Sequence, residues 1–172
     1  MISIRQEKRE DIAAVREVNV RAFDQPAEAN IVDLLRESCS NLLSLVATRG
    51  ELVVGHILFS PVSVEEGGRV VDGMGLAPMA VLPEYQRQGI GTALVKAGLA
   101  ALQDEACSFV IVLGHPEYYP RFGFIPASKH DIKCQWEGVP DEAFMILVFD
   151  ESVMRGVSGI ARYKDEFDQA ME

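Results

Sequence analysis

Residues 107–113, Cys-Ser-Phe-Val-Ile-Val-Leu, form an almost continuous apolar run. A run this short with no polar alternation suits a strand buried on both faces, and such a strand needs a cover on each side of its sheet. Just ahead of it, Ile90, Ala93, Leu94, Ala97, Ala101 and Leu102 fall on one helical stripe, with Lys96 and Gln103 off it. Helix followed at once by buried strand commits the chain to a mixed sheet flanked by helices. The 172 residues are enough for a single domain, 1–172, with a core that needs no staples.

The rest of the chain fits that frame. Ile2–Arg5 alternates as a short strand, and Ile12, Val15, Val18 and Ala22 keep helical spacing behind Glu10 and Asp11. After Pro26 a second helix carries Ile31, Leu34 and Leu35. Leu43–Thr48 and Leu52–Val64 read as a hairpin about Gly50-Glu51, and Gly67-Gly68 turns the chain into Arg69–Leu76. Met79–Leu82 is a separate apolar run that stops at Pro83. Beyond Leu113, Glu117–Phe122 suits a helical turn, Phe144–Phe149 a strand and Gly159–Tyr163 a last short one.

Composition narrows the function classes. The chain is 48% hydrophobic and 24% charged, a globular balance, and no apolar run is long enough to span a membrane. The N-terminus has no apolar signal core, which points to the cytoplasm. Cys39, Cys107 and Cys134 form no CxxC pair, so neither a disulfide framework nor a metal site is expected, and Cys107 belongs with the core. A net charge of −10 argues against a nucleic-acid or membrane-surface binder. It leaves room for a cationic substrate. One stretch runs against the field: Tyr85 to Gln103, 19 residues, holds no Asp or Glu.

That stretch contains the informative motif. Met79-Ala80-Val81-Leu82-Pro83 leads through Gln86-Arg87-Gln88-Gly89-Ile90-Gly91-Thr92 into the helical stripe. Free N–H groups and the dipole at a helix start attract phosphate, two glycines allow close backbone approach, and Arg87 adds a permanent cation. The dinucleotide fingerprint would need a third glycine where Leu94 stands, and a P-loop would need Gly-Lys-Ser/Thr where Gly91-Thr92-Ala93 stands.

Gln86-Arg87-Gln88-Gly89-Ile90-Gly91 resembles the Gln/Arg-x-x-Gly-x-Gly/Ala signature of the GNAT superfamily of acetyl-CoA-dependent N-acetyltransferases. Tyr118-Tyr119-Pro120-Arg121-Phe122-Gly123-Phe124 is similar to a second landmark of that family, in the right order and separation. The resemblance covers about three quarters of the chain. It implies an α/β fold with a mixed, mostly antiparallel sheet of about six or seven strands, flanked by helices and splayed between the fourth and fifth. It implies acetyl-CoA as co-substrate, with Met79, Ala80 and Val81 pairing with the pantetheine arm and Arg87, Gln88, Gly89, Ile90, Gly91 and Thr92 on the pyrophosphate. It makes Tyr119 the acid that protonates the departing thiolate, with a primary amine attacking the thioester directly. Tyr118 and Arg121 are assigned to packing and to solvent.

The sequence departs from the family pattern in two places. No Asn follows the fifth strand, where Leu113-Gly114-His115-Pro116-Glu117 stands, and Gly73–Leu82 holds no carboxylate to act as base. Glu28, at the start of the second helix, and His115, at the end of the central strand, are the substrate-side candidates, each with a structural alternative: a first-turn acid and a turn histidine. His56 reads as a sheet residue and His130 as a loop residue. Trp136, Glu137, Asp141 and Glu142 could border the acceptor or lie in a solvated loop. A CoA-binding sensor without turnover and an enzyme for a longer acyl-CoA stay open as alternatives, and the apolar C-terminal strands could pair across a homodimer.

Overall fold

The computed structural model describes residues 1–171. The helices are α1 (Ile12–Phe23), α2 (Ala27–Ser38), α3 (Ile90–Asp104), α4 (Glu151–Met154) and α5 (Glu166–Met171). The strands are β1 (Ile2–Gln6), β2 (Leu43–Arg49), β3 (Leu52–Glu66), β4 (Arg69–Val81), β5 (Phe109–Leu113), β6 (Ile125–Pro126), β7 (Ile132–Cys134), β8 (Phe144–Val148) and β9 (Gly159–Arg162). Their hydrogen-bonded order is β1-β2-β3-β4-β5-β8-β6, and β9 pairs both β3 and β7. Pairings β1–β2, β2–β3, β3–β9, β5–β8 and β6–β8 are antiparallel. The parallel pairing of β4 with β5 covers only Met74↔Val110 to Leu76↔Val112, as a splay of the fourth and fifth strands requires.

Among the described residues the sheet therefore has nine strands, two more than the upper expectation. The additions include β6 and β7, of two and three residues, too short to carry a period of two. Arg69–Leu76 and Met79–Leu82 are one strand: β4 continues through Pro78, whose Ala77–Pro78 bond is cis. Cys107 is half-buried ahead of β5 and not a core residue, because the strand starts at Phe109.

The chain forms two compact units. The first takes in Met1–Phe59, Ala77–Ala101 and the segment from Asp165 onward. Here α1 packs on α2 and α2 on α5, over a core that includes Val15, Leu35, Ile57, Phe59 and Leu94. Gly55 of β3 fixes where α3 begins. A Cβ on Gly55 would lie 3.1 Å from Leu94 Cδ1 and 3.2 Å from Ile90 Cγ2, so the bare strand backbone lets the first turns of α3 sit directly on it.

The same unit buries a polar cluster. His56 is fully enclosed on β3, with Nδ1 3.1 Å from Asn19 Nδ2 and Nε2 2.8 Å from Ser44 Oγ. Asn19 Nδ2 also donates to Val15 O at 3.0 Å, which orients the amide and places a donor against His56 Nδ1. That nitrogen must accept, so the imidazole is neutral with its proton on Nε2, toward Ser44. Burial, reinforced by the Arg36 charge, pushes the His56 pKa down to about 3.

The second unit comprises Ser60–Leu76 and Leu102–Lys164. As the apolar run predicts, Phe109, Val110 and Ile111 of β5 are completely buried. Leu113 pairs with Phe144 at the strand's end, and Trp136 stacks on the buried Tyr163 with ring centroids 4.9 Å apart.

Neutral His56 stabilises the fold fully above the free imidazole value of 6.5, and this contribution drains away as pH falls toward 3. From pH 7 to 5 it should cost about 2 kcal/mol. Urea unfolding of wild type and His56→Gln across that range measures it. A flatter pH dependence in the variant is expected, and parallel curves would contradict it.

Candidate active site

The segment between β4 and α3 begins with a 3-10 turn at Pro83–Tyr85, closed by Tyr85 N–H donating to Leu82 O at 2.8 Å. Two residues then take left-handed backbone angles, Arg87 at φ 63° and Gly89 at φ 84°. Gly89 does so freely, while Arg87 pays the cost of a Cβ in that region. Left-handed residues alternating along a chain turn successive N–H groups to one side, the geometry of an anion nest. The bonding of α3 starts with Ala93 N–H on Gly89 O at 3.0 Å. The N–H groups of Ile90 and Gly91 therefore precede the helical ladder and point out of its end. No acid lies in the first turn, and the space where a Gly89 Cβ would stand is open.

Charge is arranged to match. Arg5, Arg16, Arg21 and Arg36 each hold a carboxylate within 3.0 Å. Among the described residues Arg87 holds none. Arg49, at the end of β2, lies over the Tyr85 ring at 5.8 Å and has no acidic partner either. Sequence reading missed Arg49, because the hairpin that brings it to Tyr85 is a non-local contact. Gln86 Nε2 donates to Val81 O at 2.9 Å, so that carbonyl of β4 is already engaged, and Gln88 Nε2 reaches Glu84 O at 3.4 Å.

In the second unit, β5 ends at Leu113 and the chain turns through Gly114-His115-Pro116. The His115 carbonyl accepts from Tyr118 N at 3.1 Å and Tyr119 N at 3.4 Å, winding the chain into the 3-10 helix Tyr119–Phe122. A Cβ on Gly114 would stand 2.5 Å from Tyr119 Cε2, so this glycine is what lets the phenol ring lie against the strand end. Tyr119 is 7% exposed and meets Tyr118 edge-on at 5.0 Å and Phe124 at 5.8 Å. Burial, with a smaller effect from Tyr118, raises its pKa to about 12, so it is a neutral donor at any working pH. Tyr118 packs as expected. Arg121, exposed as expected, is also tethered: its guanidinium lies 4.4 Å over the Tyr118 ring and Nε donates to Tyr118 O at 2.8 Å.

The two substrate-side candidates sit in different settings. Glu28 lies in the first turn of α2 and accepts from Gln25 Nε2 at 2.8 and 3.0 Å, the posture of a helix-start acid. His115 is exposed in the turn that holds Tyr119. No group of His, Cys, Asp and Glu among the described residues could hold a metal.

Residues 3–127 match the acetyltransferase (GNAT) domain, and the chain belongs to that family of acetyltransferases. It is 39% identical over 150 residues, 87% of this chain and 88% of the relative, to YhbS of Escherichia coli K12, an uncharacterized N-acetyltransferase. The structure of YhbS from Escherichia coli in complex with CoA superposes with a TM-score of 0.89 at 36% identity, covering 97% of this chain and 92% of that one. A GNAT acetyltransferase from Brucella melitensis in complex with acetyl-CoA gives 0.80 at 35%, covering 98% and 99%.

Alkaline spectrophotometric titration checks the state of Tyr119. The wild-type minus Tyr119→Phe difference should show a phenol ionising about two pH units above the free side chain. A difference centred near pH 10 would mean the ring is open to water.

Proposed function

We propose that this chain transfers the acetyl group of acetyl-CoA to a primary amine by direct attack on the thioester. The observation that carries the reading is the turn into α3, where left-handed Arg87 and Gly89 aim backbone N–H groups out of an acid-free helix start. The relatives that bind CoA and acetyl-CoA support it. In this reading the N–H groups from Arg87 to Thr92 hold the pyrophosphate and Arg87 neutralises it. Met79, Ala80 and Val81 of β4 run along the pantetheine arm. Because Gln86 engages Val81 O, the amide must share or release that carbonyl when cofactor arrives.

The acceptor nitrogen attacks the carbonyl carbon, the C–O electrons move to oxygen, and a backbone N–H of β4 steadies the oxyanion. Collapse breaks the C–S bond and the sulfur leaves with the electron pair. Tyr119 gives its proton to that sulfur. Measured against a thiol in water near 8.5, transfer from the buried phenol near 12 runs uphill by about 5 kcal/mol. The desolvation that disfavours the phenolate disfavours a thiolate there as well, so burial narrows the gap. The proton lost by the attacking amine needs a second acceptor. We favour His115, because it is exposed on the turn that holds Tyr119, whereas the Glu28 carboxylate is engaged by Gln25. The three free thiols fit a reducing compartment, so we place the reaction in the cytoplasm.

Thiol release from acetyl-CoA over a panel of amines tests the function directly; release no faster than hydrolysis with every amine would favour a CoA sensor. Tyr119→Phe should lower kcat by about a hundredfold, within the range for a lost general acid, with CoA affinity unchanged. An unaltered rate would remove its role. Gly91→Val, or Arg87→Glu, should weaken CoA by tenfold or more in calorimetry, and unchanged affinity would displace the phosphate site.

A further inference from the structure

CoA carries a phosphate that the start of α3 leaves unassigned. In the acetyltransferase reading the N–H groups from Arg87 to Thr92 and the Arg87 charge serve the pyrophosphate. The 3′-phosphate of the adenosine end is a separate anion. A cation for it has to be free of acid partners and fixed beside the turn into α3.

Arg49 meets both conditions, and every residue that places it belongs to the first unit. The β2–β3 register puts Arg49 opposite Leu52, two residues before Val54, whose carbonyl accepts from Leu82 N–H at 2.9 Å. That bond ties the hairpin to the end of β4, where the turn begins. Tyr85, whose own N–H holds Leu82 O at 2.8 Å, presents its ring to the Arg49 guanidinium, 5.8 Å from the ring centroid. Tyr85 stands two residues before left-handed Arg87. A ring of the phosphate turn itself therefore holds the guanidinium against that turn.

The surrounding charges leave Arg49 available. Glu84, the acid of the turn, is taken by Arg21 at 2.6 Å. Among the described residues neither Glu51, exposed in the hairpin loop, nor any other acid pairs with Arg49. An exposed cation–π contact is weak, whereas a guanidinium–phosphate bond is charge-assisted and bidentate, so a phosphate can draw Arg49 from the ring or share it. The other cations of this unit outside ion pairs are less well placed. Pairing of β1 with β2 leaves Lys8 and Arg9 beyond the Gln6↔Leu45 end, about 13 Å along the strand from Arg49. Lys96 stands six residues beyond Ile90 in α3, about 9 Å along the helix axis from its start.

We infer that Arg49, held on the Tyr85 ring, binds the 3′-phosphate of CoA and makes the site select CoA over dephospho-CoA. The inference rests on the acetyltransferase reading and extends its cofactor site to a residue outside the glycine motif.

Isothermal titration with CoA and with dephospho-CoA, the same molecule without the 3′-phosphate, reads this without turnover. Wild type should bind CoA about tenfold more tightly, the scale of one charge-assisted phosphate contact. Arg49→Gln should erase that preference by weakening CoA alone, with the affinity for dephospho-CoA unchanged. Arg49→Lys, which keeps the charge and loses the planar fork, should retain part of it. Arg49 is exposed, so neither change disturbs the core. Equal binding of the two ligands by wild type, a preference that survives Arg49→Gln, or equal weakening of both ligands by that variant would overturn the assignment. Loss of the preference in Lys96→Gln, with Arg49 intact, would overturn it too. The outcomes separate the two readings. CoA bound with no 3′-phosphate preference removes the role of Arg49 and keeps the cofactor site. Failure of wild type to bind either ligand removes the cofactor site, and the inference with it.

Discussion

The turn from β4 into α3 depends on Arg87 and Gly89 both accepting left-handed backbone angles. For Gly89 this is ordinary. For Arg87 it costs of order 1 kcal/mol, a strain that persists only where surrounding structure holds it. What holds it is visible on either side: Tyr85 is tied to Leu82, and the first turns of α3 rest on the bare backbone of Gly55 through Ile90 and Leu94. A helix seated that firmly cannot rotate its exposed end away. The N–H groups at that end are presented in one direction, with a permanent cation beside them and no carboxylate in the chain from Tyr85 to Gln103. An overall charge of −10 is compatible with a polyanionic cofactor because the acids lie elsewhere and several arginines are spent on them.

The second unit solves a different problem. A phenol that is to act as a donor must keep its proton and be held in one orientation. Gly114 supplies the space, the His115 carbonyl winds the chain, and the aromatic cluster around Tyr119 removes water. Burial does the electrostatic work, so no charged neighbour is required. His56 shows the same principle with the opposite purpose: enclosed and given a donor at Nδ1, it is kept neutral as a core residue and takes no part in the chemistry proposed here.

Much of this was legible in the letters because it is local. The helical stripe of α3, the apolar run of β5 and the Gly89-x-Gly91 start are patterns within a dozen residues, and the structure places each as a strand, turn or helix accordingly. The continuity of β4 was hidden by Pro78, which in isolation reads as a strand breaker. β6 and β7 were hidden by brevity, and the Arg49–Tyr85 and Trp136–Tyr163 contacts by sequence separation. The hydrogen bonds of Glu28 to Gln25 are local, yet a carboxylate at a helix start looks the same in sequence whether it caps or catalyses.

The central claim is that backbone amides at the start of α3 hold the phosphates of CoA. Amide chemical shifts of ¹⁵N-labelled protein titrated with CoA, and separately with pantetheine, test it residue by residue. The account predicts large shifts at Gln88, Gly89, Ile90 and Gly91 with CoA and little change there with pantetheine, which lacks the pyrophosphate. Unmoved amides at those four positions in CoA-saturated protein would contradict it.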